Sequence, residues 1–184
     1  MAVKTFTTGE VLTASDTNTY LNNGGLVYIT SATVGTAVSS VTVSNVFSST
    51  YENYRIIYTG GTLSAASQIT FQLGSSTTGY YGGLSRVDTA AAASNIAMNN
   101  TAAWTYSGIG DGDGALLEME VFQPYTTFYT RAKLSWIDLR TTNAWGMGGG
   151  VHRVAASYSS FTIGYQVGVT ATGGTIRVYG YRQA

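Results

Sequence analysis

Few residues in this chain have the chemistry to act on a substrate. Its single histidine, His152, stands beside Arg153 in a strand-like run. A Ser-His-Asp relay also needs a serine presented on a sharp nucleophile elbow, and the sequence contains none. His152 is therefore assigned to surface or interface packing. A glycosidase would need two carboxyl groups held across a cleft, and the available acids are Glu52, Asp88, Asp111, Asp113, Glu118, Glu120 and Asp138. Glu118 and Glu120 are two apart, so on a strand they share one face, opposite Leu117, Met119 and Val121. That places them on a solvated or interface face rather than in a catalytic pair. Asp111-Gly-Asp113-Gly114 opens like a calcium loop, but the next acids fall at Glu118 and Glu120, off the required spacing. Turn chemistry alone favours Asp and Gly there, and no metal is assigned. Gly146 to Gly150 has no following Lys-Ser/Thr and cannot be a phosphate cradle; its small residues, beside Trp145 and His152, suit a close backbone approach or a packed threefold axis. With no cysteine there is no thiol nucleophile, disulfide or cysteine-bound zinc. The chain reads as a non-enzyme without a cofactor.

Recognition chemistry is better supplied. The sequence carries 14 Tyr, 6 Phe and 3 Trp, more than one core should need. Aromatic faces flanked by Asn and Ser suit sugar rings and protein interfaces alike. Tyr80, Tyr81, Trp104, Tyr106 and Trp145 are the candidate receptor or interface aromatics, with Tyr125, Tyr129 and Tyr158 as further members of the surplus. Nine Lys plus Arg balance nine Asp plus Glu, and no basic run exists, which excludes the electrostatic footprint of nucleic-acid binding. Charged residues are only 10% of the chain, so the surface must be largely uncharged and polar. A neutral chain tends to associate, which points to a protein that assembles.

These residues need elements to hold them. Period-two alternation marks strands at Val41/Val43, Ile69/Phe71/Leu73, Leu117/Met119/Val121, Ala132/Leu134/Trp136, Phe161 to Val169 and Ile176/Val178, with Ile137 and Leu139 shifting phase into the core. Further strand-like runs are Leu26 to Ile29, Tyr54 to Tyr58, Tyr80 to Val87, Thr101 to Tyr106 and Trp145 to Val154. Strands spaced by turn residues, with no helices between them, predict an all-β fold, an antiparallel jelly-roll-like β-sandwich over residues 26–184. Asp88 to Asn100 and Ser107 to Gly114 read as long loops, and the Ser/Thr cluster of Phe47 to Tyr54 as one helical turn plugging a corner. No apolar stretch could span a bilayer, and Met1 to Thr8 lacks the pattern of a secretory signal.

Ahead of the sandwich, residues 1–25 read as a docking peg and hinge. Thr13 or Ser15 can cap a helix of about two turns whose apolar side carries Ala14, Tyr20 and Leu21, with Phe6 and Leu12 preceding the cap. So short a helix has no stability alone and must lie against something. Asn22-Asn23-Gly24-Gly25 supplies the hinge.

The pattern Phe6-x-x-Gly9-x-x-Leu12-Thr13-Ala14-x-x-x-Asn18-x-x-Leu21 resembles the leader of tailed-bacteriophage structural proteins, especially tail fibres and related appendages. The body, with Val46 to Tyr54 ahead of an apolar strand and Gly174 to Tyr181 at the end, resembles their β-sandwich modules. The resemblance covers both ends and about a third of the chain. It implies a virion protein, assembled in the host cytoplasm, whose Phe6, Gly9, Leu12, Thr13, Asn18 and Leu21 anchor it to other phage virion proteins. It also implies a homotrimer presenting the sandwich to a host-surface glycan or protein, without membrane insertion. Only Asn22 to Gly25 separates peg from body, where long fibres have a shaft, so a short tail fibre or similar appendage is expected; the alternative is a capsid decoration, cement or head-fibre protein that stabilises the shell.

Overall fold

The computed structural model describes residues 5–16, 25–90, 93–138 and 144–182. After a three-residue helical turn, α1 (Ala14–Asp16), come thirteen strands: β1 (Leu26–Thr33), β2 (Ser40–Val43), β3 (Asn53–Leu63), β4 (Ser67–Leu73), β5 (Tyr80–Val87), β6 (Ala93–Thr101), β7 (Trp104–Gly110), β8 (Ala115–Phe122), β9 (Thr130–Ile137), β10 (Trp145–His152), β11 (Phe161–Tyr165), β12 (Ala171–Thr172) and β13 (Thr175–Tyr181). All pair antiparallel. The fold is the antiparallel sandwich that the alternation predicts, with non-consecutive neighbours of the kind a jelly roll uses.

Its layers are unequal. The long layer runs β1-β13-β3-β8-β9-β10-β5-β6 and the short one β2-β11-β4-β7. They join at β8, whose one edge is shared: Ala115 to Leu117 pair with β7, and Glu118 to Phe122 with β9. The other edge of β8 follows β3 along its whole length.

Between the layers, alternate residues of each strand are buried. Tyr54, Ile56 and Tyr58 of β3, Leu117, Met119 and Val121 of β8, and Ile176 and Val178 of β13 meet Ile69, Phe71 and Leu73 of β4 and Phe161 and Ile163 of β11. Burying each such side chain contributes about 1.5–3 kcal/mol. Through this core runs a chain of rings. Phe47 contacts Tyr54 and Phe161, Phe161 stacks on Phe71 at 4.8 Å, Phe71 lies 6.3 Å from Trp104, Trp104 meets Tyr80 edge-on at 5.2 Å, and Tyr80 meets His152 at 4.3 Å. A smaller cluster of Leu84, Ile109, Leu134, Trp136 and Ala144 extends the core along β9 and β5.

The structure departs from the sequence reading in several places, and the strand expected from Phe161 to Val169 ends at Tyr165, with Val167 exposed. Residues 93–100, expected as loop, belong to β6, an edge strand whose small polar residues face water. The Gly-rich run from Ser107 contributes to β7 as far as Gly110 before turning at Asp111. Phe47 to Tyr54 makes a turn rather than a helical one: the Tyr54 hydroxyl accepts from the Ser48 amide at 2.8 Å and donates to the Ser48 carbonyl at 2.9 Å, pinning the corner without helix. The glycines of β10 serve the close backbone approach expected of them, a Cβ on Gly148 falling 2.2 Å from the Gly83 carbonyl oxygen, and they also leave room for rings. A Cβ on Gly146 would stand 2.4 Å from the Trp136 ring, and one on Gly150 would stand 2.5 Å from Trp104 Nε1, so these positions are filled by the chain's own tryptophans.

His152, expected to pack at a surface or interface, lies instead in the core, fully buried. Its Nε2 lies 2.9 Å from Ser76 Oγ and 3.0 Å from the Thr78 carbonyl, tying β10 to the turn that precedes β5. A carbonyl only accepts, so Nε2 carries the proton of the neutral ring. Burial holds its pKa below the ordinary histidine value, partly opposed by the Thr78 carbonyl. The unfolded chain thus binds a proton more readily than the folded one. Stability should be flat above about pH 6.5 and fall as pH drops below it through the depressed folded pKa. His152 is the only histidine, so this slope has one side-chain source. Denaturant melts from pH 8 to 5 check it: His152→Gln should lower stability at pH 8 yet flatten the pH dependence, and a slope retained in that variant would contradict the assignment.

Candidate functional site: a trough on the long layer

Outward-facing side chains of the long layer come from the residues between the buried ones. On β8 these are Leu116, Glu118, Glu120 and Phe122, and on β9 Arg131, Lys133, Ser135 and Ile137. Register places Glu118 opposite Ser135 and Ser135 opposite Met147, while Ile137 lies opposite Trp145. A trough of about 540 Å³ is lined by Arg55, Glu118, Glu120, Lys133, Ser135 and Met147. Sharing Glu118, Ser135 and Met147 with it is a hollow of about 250 Å³ that adds Leu116, Ile137 and Trp145. Beyond Leu116 and Ile137 a third, of about 470 Å³, reaches Thr59, Thr62 and Asp113. The depressions follow β8 as one groove.

The groove has an apolar centre and a charged flank. Trp145 is 48%, Met147 57% and Ile137 60% exposed, high for large apolar side chains clustered on one face. Alongside, the Arg55 guanidinium donates to Glu118 and the Tyr181 hydroxyl donates to Glu120. Burial and the Glu120 partner push the Tyr181 hydroxyl up to about 12. Both carboxylates are thus engaged, Glu118 by Arg55 from the adjacent β3 and Glu120 by Tyr181 from β13, one strand further on. An exposed pair such as Arg55–Glu118 contributes at most about 1 kcal/mol to stability; its effect is to fix charged groups in place. An apolar centre of Trp and Met with an ion-paired flank has the composition of a recognition surface.

The candidate aromatics separate into three groups. Trp145 lies in the groove. Tyr81 is half-buried on the same face, its ring 5.3 Å beneath the Arg153 guanidinium, and Tyr106 is half-buried against the smaller core, its carbonyl accepting from Trp136 Nε1 at 3.0 Å. Tyr80 and Trp104 have no exposed surface and are corrected to core residues; Gly150 leaves the room that the Trp104 ring fills, and Tyr80 packs edge-on to Trp104 and against His152. Tyr158 also turns inward, edge-on to His152. Tyr125 and Tyr129 are exposed between β8 and β9, with Phe128 beside them. Ile137, expected in the core, keeps the outward phase of Lys133 and Ser135, while Leu139 lies outside the described residues. Arg55, Lys133, Ile137 and Met147 were not singled out from sequence as recognition residues. Their signal was the alternation itself, since every residue between two buried ones must face outward.

In the N-terminal segment, Gly9 is the third residue of a turn closed by Glu10 N–H to the Thr7 carbonyl at 3.0 Å, with φ +88°. That conformation favours glycine. Thr13, rather than Ser15, caps α1: its Oγ1 accepts from Asp16 N at 3.1 Å while Asp16 Oδ2 accepts from Thr13 N at 3.1 Å, a reciprocal capping box. Phe6 is 38% and Leu12 49% exposed, with Val11 at 79%. Asn18, Tyr20 and Leu21 lie outside the described residues.

The Asp111 carboxylate accepts from the Asp113 amide at 2.8 Å, an Asx turn that closes the β7–β8 hairpin. Among the described residues, no three acidic or histidine side chains group as metal ligands would. Comparison with family models, curated proteins and solved structures finds no match to this chain.

Proposed function

We propose that this chain is a non-enzymatic structural component of a tailed-bacteriophage particle, a short tail fibre or similar appendage. Residues 1–25 dock it to the particle, and the sandwich is presented for attachment to a host-surface glycan or protein. The observation that carries this reading is the peg. A glycine turn and a capping box give residues 7–16 a built shape while Phe6, Val11 and Leu12 stay exposed ahead of a sandwich that has its own core. Shaped but apolar segments of this kind gain stability only by covering those side chains with a partner. The groove around Trp145 is the attachment surface. Weak sites on several copies act together through avidity, so no single deep pocket is required.

Competition tests the reading. Excess purified chain should block adsorption of the particle that carries it, and Trp145→Ala should weaken that block by about tenfold, the effect of losing about 1.4 kcal/mol. If omission of the chain leaves adsorption unchanged but lowers the heat or pressure resistance of the shell, the protein is a decoration or cement protein instead.

A further inference from the structure

The two ends of the long layer are open and matched. Among the described residues, β1 pairs only with β13 and β6 only with β5. Every second residue along each of these strands therefore turns its N–H and C=O away from the sheet. Sheets usually blunt such edges with charge, proline or short length. The short layer does so, ending in the four-residue β2. The long layer does not: β1 is eight residues, LVYITSAT, and β6 nine, ASNIAMNNT, with no charge or proline in either. β6 stays in regular register with β5 from Ala93 to Met98, and β1 shifts register once, between Tyr28 and Thr30. On the inward side both edges continue the core, with Ile96 and Met98 on β6 and Ile29 and Ala32 on β1 packed against it.

Strand direction makes the two edges complementary. The layer has eight strands, each antiparallel to the next, so β1 and β6 run in opposite directions. Rotation about an axis parallel to the strands keeps every direction and keeps inner faces inner. A second copy related in this way sets its β1 antiparallel beside β6 of the first, which continues the ladder without a break. Pairing of β6 with a second β6 leaves both β1 edges open unless a second, separate β1-to-β1 contact forms; β6-to-β1 pairing uses every edge with one repeated contact, and it closes when the rotation closes. We propose that copies of this chain assemble into a closed ring by edge-to-edge pairing of β6 with the β1 of the next copy. The neutral net charge of the chain opposes such contact least.

The absence of cysteine makes a direct test possible. Ala97 and Ser31 are exposed, on the outward face near the middle of β6 and β1, and at opposite ends of one layer. In the full-length Ala97→Cys/Ser31→Cys variant, oxidation or a short bismaleimide should yield a discrete covalent ladder ending at the mass found by sedimentation of the unmodified chain. Each single variant should stay uncrosslinked, and Ala97→Lys/Asn99→Lys on β6 should shift sedimentation toward monomer with an unchanged circular dichroism spectrum. Sedimentation of the unmodified chain as a monomer overturns the proposal. Efficient dimer formation by Ala97→Cys alone overturns it in favour of β6–β6 pairing. These readouts need no phage particle, so their failure and failure of the attachment reading are separate events.

Discussion

Trp104→Ala is expected to lower the unfolding free energy by about 3–5 kcal/mol, enough to consume much of the roughly 5–15 kcal/mol that holds a typical domain together. Trp104 is fully buried where the two layers meet, facing Phe71, Tyr80 and His152. Its place is made by Gly150, where a Cβ would come within 2.5 Å of both Trp104 Nε1 and the Tyr81 carbonyl. Gly150→Ala should accordingly cost about 1–3 kcal/mol by overpacking. Removing the ring relieves half of that conflict and leaves the Tyr81 carbonyl, so the double variant should be more stable than the sum of the two losses implies. Urea melts of the four proteins measure the coupling. Strict additivity would mean that Gly150 serves the backbone approach alone and not the tryptophan.

The same pairing of ring and glycine explains why the aromatic residues misled sequence reading. Counted as side chains, 23 aromatics exceed one core. Counted with Gly146 and Gly150 of β10, the inner face has hollows that large rings fill, and Trp136 and Trp104 occupy them. Which glycine faces inward depends on cross-strand register, and single-sequence periodicity does not carry register between strands. Where apolar and polar residues alternated cleanly, as in Ile69/Phe71/Leu73 and Leu117/Met119/Val121, the strand and its buried face were legible. In β6 only Ile96 and Met98 mark the inner side among Ala, Ser and Asn, because an edge strand packs little, and the segment read as loop. The groove was legible in part: Glu118 and Glu120 were placed on an outward face correctly, but the residues that make that face a trough come from β3, β9 and β10. Pairing across the layer brings them together.

Deletion of residues 1–23 is expected to leave the sandwich folded and to abolish incorporation into the particle. The first half follows from where the bonds lie. The turn is closed between Thr7 and Glu10 and the cap between Thr13 and Asp16, both within the segment, whereas the sandwich is held by the ladders of β1 to β13 and a core drawn from residues 34–178. Circular dichroism and thermal midpoint of the shortened chain should match those of the full one. The second half follows from the exposed apolar side chains. Covering Phe6, Val11 and Leu12 in a partner would contribute about 1.5–3 kcal/mol for each fully buried side chain, a large share of what a small docking segment can supply. Phe6→Ser/Leu12→Ser should therefore reduce incorporation almost as far as the deletion. Gly9→Val, which forces a β-branched residue to φ +88°, should reduce it by distorting the turn while leaving those apolar groups in place. Protein gels of purified particles read all three. Full incorporation of a stably folded deletion variant would refute the anchor and move the docking surface to the sandwich. Incorporation lost in the deletion but kept in Phe6→Ser/Leu12→Ser would keep the anchor and assign its contacts to other residues of the segment.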